Sequence, residues 1–311
     1  MRFQPTFEPN PELRERRVVT QHVRTARVLA LVTAAVAVVV GAWTVADPGL
    51  LHGPAAMQGS ARGTALVLVL VAVPVLVISV WRAGQGSGVA LLTWGGALLY
   101  VVYNAVLLLF LTPFNSAFLG YVAMLGCALW STGYLLTLRE LWLVGQSLAT
   151  GPRVRLVAAY LGVVVVLNGA AWLARVVPAL DDPYPTPMLA GTGVATNVIY
   201  VQDLAVWLPL AAVAAVWLAR RRATGVVVVG ALLAMWVIEA ISVAVDQWWG
   251  ATADPASTVV SKGLVLPFLL IALVGVVPLV ALVRPAGRDR AEHRAGPTRG
   301  TRATEEAAQG G

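Results

Sequence analysis

The sequence is dominated by apolar stretches of about 20 residues, the length that an α-helix needs to cross the hydrocarbon core of a bilayer. Eight stretches qualify, near residues 28–46, 64–81, 89–111, 117–138, 156–177, 198–219, 225–245 and 263–283. Lipid offers the peptide backbone no hydrogen-bond partner, so each stretch is predicted to be helical. The predicted fold class is therefore all-α, a polytopic membrane helix bundle with eight transmembrane helices.

Composition excludes soluble and disordered classes. Hydrophobic residues make up 59% of the chain and charged residues 12%, whereas a soluble domain is nearer a quarter charged. One alternative lowers the number of spans to seven, because Thr44-Val45-Ala46 suits cleavage of a signal peptide. The acidic residues of the preceding tail and the length of the apolar stretch favour a retained first helix.

The basic residues indicate the orientation, because they collect on one side of the predicted bundle. Nineteen of the 22 Lys and Arg residues lie in the two tails and in the connections on the same side. Only Arg62, Arg175 and Lys262 lie elsewhere. Loops rich in Lys and Arg stay in the cytoplasm, so both termini are predicted to be cytoplasmic, with the protein in a plasma membrane.

Three regions follow from this topology. Residues 1–27 form a basic cytoplasmic tail, residues 28–283 the eight-helix transmembrane domain, and residues 284–311 a basic cytoplasmic tail that is predicted to be disordered. The net charge of +7 is placed where anionic lipid headgroups attract it. The predicted partner is the lipid bilayer, with a membrane protein or a second copy of the chain as a further partner. Nucleic acid is not a predicted partner, because no soluble basic surface is present.

Motifs of soluble enzymes are absent from the sequence. The single cysteine, Cys127, allows no thiolate metal cluster, and the three histidines lie outside the apolar stretches. No phosphate-binding loop, zinc-protease motif or serine-hydrolase motif occurs. No cofactor and no metal site are therefore predicted, and the question of an enzyme stays open with a non-enzyme favoured. The excess of Arg over Lys among Ala, Val and Gly suggests a bacterial source.

Polar residues inside the spans are the candidate functional residues, since such groups are costly in a membrane and mark function there. Helical spacing places them on polar stripes, such as Glu239, Ser242 and Asp246. In the predicted topology all the stripes lie in the outer half of the membrane. The candidate polar cluster consists of Asn104, Asn168, Arg175, Asp203 and Glu239.

The cluster has two interpretations. In the functional one, it lines an outward-facing cavity that binds a small polar or charged solute or relays protons, with Lys262 as a further member. In the structural one, Arg175 pairs with Asp203 or Glu239, and the asparagines cross-link helices by hydrogen bonds that average about 0.6 kcal/mol. The near balance of charge favours the structural interpretation.

Internal repetition is a further possibility raised by the second and sixth spans. Both have a proline near the middle, Pro74 and Pro209, and both end with Trp followed by Arg. A duplication of four helices would explain this likeness, and so would the restricted composition of membrane helices.

Two stretches between residues 60 and 245 carry a resemblance to a known group of proteins. The first includes Ala61-Arg62-Gly63, Val71-Ala72-Val73-Pro74, Trp94–Tyr100 with Tyr103, Phe114-Asn115 and Phe118–Ala123, and the second Thr196-Asn197, Asp203-Leu204-Ala205, Leu208-Pro209 and Arg220-Arg221. The chain resembles a family of uncharacterised bacterial multi-pass integral membrane proteins. The resemblance implies a multi-pass membrane protein and supplies no activity.

Two classes of function stay open from the sequence. The first is a transporter or sensor component for a small solute, built around the polar cluster in the outer half. The second is a structural or partner-binding membrane subunit without transport or catalysis of its own. A membrane enzyme comes third, because no nucleophile with a base and no metal ligands are visible.

Overall fold

The computed structural model describes residues 11–182 and 189–284 of the chain, with side chains from residue 21 onward. The other residues, including most of the C-terminal tail that is predicted to be disordered, lie outside the described part. The helices are α1 (Pro11–Ala46), α2 (Ala55–Gly84), α3 (Gly88–Phe110), α4 (Phe118–Leu135), α5 (Arg139–Ala149), α6 (Val154–Ala179), α7 (Val198–Ala219), α8 (Ala223–Ala253) and α9 (Lys262–Val283).

Within the described residues, eight of these helices are long and apolar enough to cross a membrane, all except α5. The prediction of an all-α bundle with eight spans is therefore confirmed. The helices are often longer than predicted: α2 begins at Ala55 rather than near residue 64, and α8 runs to Ala253 rather than to about 245. Hydropathy detects only the apolar middle of a helix, whereas the backbone continues through polar residues such as Ser60 and Asp246.

Consecutive spans alternate in direction, so their connections fall on two sides of the bundle. The basic side carries the start of the first span, the turn 85–87, α5 and the turn 220–222. The acidic side carries the connections with Asp47, Asp181, Asp182 and Asp254.

Helix α8 is the centre of the bundle and contacts α2, α3, α5, α7 and α9. Glycines bring two of these neighbours against its backbone. A Cβ atom on Gly63 of α2 would lie 2.8 Å from the Cα of Asp246, and one on Gly96 of α3 would lie 2.6 Å from the carbonyl oxygen of Ala231. Gly59 and Gly63 form the G-x-x-x-G spacing that lets membrane helices approach closely. Leu, Val and Ala side chains fill the rest of the core.

Two spans contain the same irregularity, a wide turn directly before a proline. In α2 the amide of Val73 donates to the carbonyl of Leu68, and in α7 the amide of Leu208 donates to that of Asp203. Each bond spans five residues instead of four, which makes a π-helical turn over Leu68–Ala72 and over Asp203–Trp207. Proline lacks the amide hydrogen and crowds the preceding turn, so a widened turn relieves both effects.

The wide turns belong to a repeat with a shift of 135 residues, the separation between Pro74 and Pro209. The same shift relates the ends of the two helices. Gly86 (φ 87°) and Arg221 (φ 56°) both adopt the left-handed conformation just after them, and each closes the last turn by the same two backbone bonds. Arg221 tolerates this conformation while its guanidinium donates to the carbonyls of Ala149 and Gly151, at 3.2 and 3.1 Å.

Packing repeats in the same way as the local structure. In α1–α4 the first helix contacts the second, the second the third, the third the fourth and the fourth the first, and α6–α9 have the same pattern of neighbours. The described chain therefore consists of two four-helix units joined by α5. This is the organisation of parallel structural repeats, whose shared interface holds the binding site in many transporters.

We predict that Gly63→Ala destabilises the fold by about 1–3 kcal/mol, the usual cost of overpacking, because the new methyl group meets the backbone of α8. The free energy of unfolding in mixed micelles measures this effect. The matched control is Gly126→Ala on α4, where a Cβ atom has no neighbour within 4 Å. Equal stabilities of the two variants would contradict the close contact of α2 with α8.

Candidate functional site

A cavity of about 390 Å³ lies between the two units at the acidic side. Its walls come from α2 and the end of α3 in the first unit, and from α6, the start of α7, and α8 in the second. The side chains that give it polar character are Ser60, Thr64, Thr112, Trp172, Arg175, Thr192, Asn197, Tyr200, Asp246, Gln247 and Thr258. Leu107, Leu108 and Val260 are among the apolar ones.

Asp246 brings a carboxylate to the cavity wall from α8. The Gln247 side-chain amide donates to Asp246 at 3.0 Å, and the Ser60 hydroxyl of α2 interacts with the same carboxylate. Gln247 is itself held in place, because its oxygen accepts a hydrogen bond from the Ser261 amide at 2.9 Å. Across the described residues, no Lys or Arg forms an ion pair with Asp246.

Arg175 brings a guanidinium to the same cavity from α6. It forms no ion pair and no hydrogen bond within the described part of the chain, and its side chain is exposed. The expectation that Arg175 pairs with Asp203 or Glu239 is therefore not met. The partner of Asp203 is instead Trp172, one helical turn earlier on α6, whose Nε1 donates a hydrogen bond to the Asp203 carboxyl group at 2.9 Å.

Aromatic rings line the wall beside Arg175. The rings of Trp172 and Tyr200 are tilted by 47° with their centroids 4.6 Å apart. Asn197 fixes the start of α7 because its side-chain oxygen accepts from the amides of Ile199 and Tyr200, at 3.1 and 3.4 Å. The wall therefore places two aromatic rings beside a guanidinium that has no partner among the described residues.

Below the cavity, a second group of polar side chains joins α3 to α8. Asn104 donates to the Glu239 carboxyl group at 2.7 Å, and Tyr100 donates from its hydroxyl to Ser242 at 2.9 Å. Asn104 and Tyr100 are fully buried. Glu239 lies seven residues from Asp246 along α8, which is about 10 Å at ~1.5 Å per residue.

Asp203 extends this group towards α7, where it begins the wide turn. The Tyr103 hydroxyl interacts with the carboxyl group of Asp203. Tyr103 also lies near enough to Glu239 for an electrostatic interaction between the two side chains. Nearby, the Trp207 indole donates to Gln202 at 3.2 Å. The acids of α7 and α8 are thus connected through the aromatic residues of α3.

Of the five residues predicted as a polar cluster, Asn104 and Glu239 are in direct contact. Asp203 reaches the same region through Tyr103, and Arg175 lies at the cavity above. Asn168 is half-buried, forms no hydrogen bond with the described residues and does not line the cavity. Lys262, considered as a further member, instead lies over the ring of Trp248, with Nζ 5.0 Å from its centroid.

The predicted cluster of five residues lacks Asp246, Ser60 and Tyr103, although Asp246 belongs to one of the predicted polar stripes. Asp246 was placed at the end of its span, because hydropathy falls there, although the helix continues for seven more residues to Ala253. Its spacing of seven from Glu239 places both residues on one face of the helix, as the polar stripe predicts. Ser60 and Tyr103 carry no such signal, because hydroxyl groups are common in membrane helices.

Comparison with protein-family models, with curated proteins and with solved structures finds no match. The eight long apolar helices agree with one implication of the resemblance seen in the sequence, that the chain is a multi-pass membrane protein.

We predict that Trp172→Phe lowers the free energy of unfolding by about 1–2 kcal/mol, near the upper end of the range for hydrogen bonds between membrane helices, because Asp203 loses a donor. Trp130→Phe is the control, since Trp130 is 78% exposed on α4. In an Asp203→Leu background the effect of Trp172→Phe should shrink to that of the control. If Trp172→Phe lowered the free energy of unfolding equally in that background, the hydrogen bond from the indole N–H to Asp203 would not be the cause of the loss.

Proposed function

We propose that the protein binds a small polar solute in the acidic-side cavity and acts as a transporter or sensor component in a bacterial plasma membrane. The observation that carries this proposal is the carboxyl group of Asp246 and the guanidinium of Arg175, which line one cavity without an ion-pair partner in the described chain. A volume of about 390 Å³ falls within the range of about 300–1,000 Å³ that is usual for ligand sites.

The energetics of the membrane support this proposal. Asp246 lies seven residues inside the acidic-side end of α8, and ionisable residues within a span are retained where they face a polar partner, water or a ligand. The position of the cavity between the two four-helix units agrees with that of solute sites in repeat-built transporters.

The orientation that we propose follows from the distribution of charge. The positive-inside rule assigns the basic side to the cytoplasm, which places the acidic side and its cavity outside the cell. Both termini are then cytoplasmic, and solute enters from the exterior.

One observation favours the second class of function, a structural or partner-binding subunit. Only 11% of the apolar window of α9 is buried inside the protein, so this helix offers a broad apolar face to lipid or to a neighbouring protein. Such a subunit does not need a solute in the cavity, and the following experiment therefore separates the two classes.

We predict that at least one of four probes, the zwitterion glycine, the cation choline, the anion acetate or neutral glucose, slows thiol labelling in the cavity. Cys127→Ser removes the native thiol, and Thr112→Cys places a new one on the cavity wall. The labelling rate of the protein in nanodiscs is measured with and without each probe. Arg175→Gln or Asp246→Asn should abolish the protection while the protein stays folded.

Thr252→Cys provides the matched control. The hydroxyls of Thr112 and Thr252 both bond to the carbonyl four residues earlier, at 2.6 and 2.7 Å, but only Thr112 lines the cavity. Protection at both positions would indicate a general effect of the probe. No protection at Thr112→Cys by any of the four probes would favour the structural subunit.

The orientation gives a separate prediction. In intact cells, a membrane-impermeant maleimide should label Thr252→Cys on the acidic side, whereas Gln85→Cys in the turn on the basic side should react only after permeabilisation. Both positions are exposed, so protein burial does not explain a difference. The opposite pattern of labelling would place the cavity on the cytoplasmic side.

A further inference from the structure

Asn104 lies at the contact between the two units, and its donor and acceptor groups are unequally satisfied. A side-chain amide has two N–H donors and one carbonyl acceptor. Nδ2 donates to the backbone carbonyl of Tyr100 at 3.1 Å and to Oε2 of Glu239 at 2.7 Å. Oδ1 is buried and has no hydrogen-bond partner among the described residues. The site therefore has one acceptor in need of a donor.

Turning the amide over does not remove this need. The turned group would place its oxygen against the carbonyl oxygen of Tyr100 and Oε2 of Glu239, so that acceptors would face acceptors. Both existing hydrogen bonds would be lost. The observed orientation is thus the favourable one, and the missing donor has to come from a neighbouring group.

We propose that Glu239 is a proton-binding site, in which the protonated carboxyl group donates from Oε1 to Oδ1 of Asn104 while Oε2 accepts from Nδ2. A carboxylic acid and a carboxamide match each other in this way, each with one donor and one acceptor on the facing edge. The two hydrogen bonds satisfy every polar atom on the facing edges of both side chains.

The charged groups around Glu239 support a neutral carboxyl group. Asp246 lies on the same helix, Tyr100 and Tyr103 face Glu239 from α3, and Asp203 faces it from α7. None of these groups carries a positive charge.

The other helices packed against α8 add no cation near Glu239. Helix α9 has Lys262 at its acidic-side end, over Trp248, and no other titratable residue. Helix α2 has Arg62, which donates to the carbonyl of Pro48 at 2.8 Å, and Arg82 at its basic-side end. Helix α5 lies at the basic side, and so does Arg220, in the turn between α7 and α8. A Glu239 carboxylate would therefore have no counter-charge among the described residues of the helices packed against α8.

Asn104 and Glu239, the two residues that share this proton, occupy equivalent positions in the repeat. The shift of 135 residues that relates Pro74 to Pro209 also relates Asn104 to Glu239. The acid and the amide thus occupy equivalent positions of the two units and meet where α3 contacts α8. Loss of the proton removes one of the two hydrogen bonds between Glu239 and Asn104 and leaves a negative charge there.

Proton release requires only water as the acceptor. The O–H bond of Glu239 breaks, its electron pair stays on the carboxylate, and the proton passes to water in the cavity about 10 Å away along α8. Ser242, which accepts a hydrogen bond from Tyr100, lies on α8 between Glu239 and Asp246, and Asp246 borders the cavity. This inference does not depend on a solute in the cavity.

Infrared spectroscopy of the reconstituted protein tests the proposal. We expect a carboxylic-acid carbonyl band at neutral pH that disappears in Glu239→Gln and that decreases as the pH is raised. Labelling with glutamate that carries ¹³C in its side-chain carboxyl group should shift the band in the native sequence, which makes the assignment independent of whether a variant folds. Asn104→Leu should move the band to higher frequency, because the carbonyl loses its donor.

The controls are Asp203→Asn and Asp246→Asn, in which a band that shifts with labelled glutamate should persist. Glu239→Gln should fold as well as the original protein, since its amide can form the same two bonds with Asn104. No band that shifts with labelled glutamate, or a band that is lost in Asp246→Asn but kept in Glu239→Gln, would overturn the proposal.

Discussion

At Gly59, Gly63 and Gly96, the backbones of α2 and α3 lie against the backbone of α8 with no side chain between them. This contact joins the two four-helix units, because α2 and α3 belong to the first and α8 to the second. Water exclusion does not drive association between helices in lipid, so close packing and hydrogen bonds have to hold them together. The same contact sets the distance from Asn104 to Glu239 and holds Asp246 at the cavity.

Much of the fold is predictable from the sequence because lipid restricts a spanning chain to helices. The number and order of the spans follow from the apolar stretches, and the structure confirms both. Helix ends do not follow from hydropathy, since residues such as Ser60 and Asp246 are polar yet helical. In the sequence, the main sign of the repeat is the pair of prolines, Pro74 and Pro209. The features that relate α2 to α7 most closely are backbone hydrogen bonds, and residues as different as Leu68 and Asp203 form them.

The candidate site was predictable as a set of residue types but not as a set of partners. Helical spacing places Asn104, Asp203 and Glu239 on polar stripes, but it does not reveal which stripes face each other. That depends on how α3, α7 and α8 rotate when they pack. The expected ion pair of Arg175 fails for this reason, since Trp172 rather than Arg175 reaches Asp203.

The equivalence of positions 104 and 239 has a consequence for stoichiometry. Two identical units related by a two-fold axis would have to place the same side chain on both sides of it. Two amides would provide no group that titrates there, and two carboxyl groups would repel each other when both were ionised. A single chain that contains both units is free of this symmetry, so it can place one acid opposite one amide and hold a single proton per molecule.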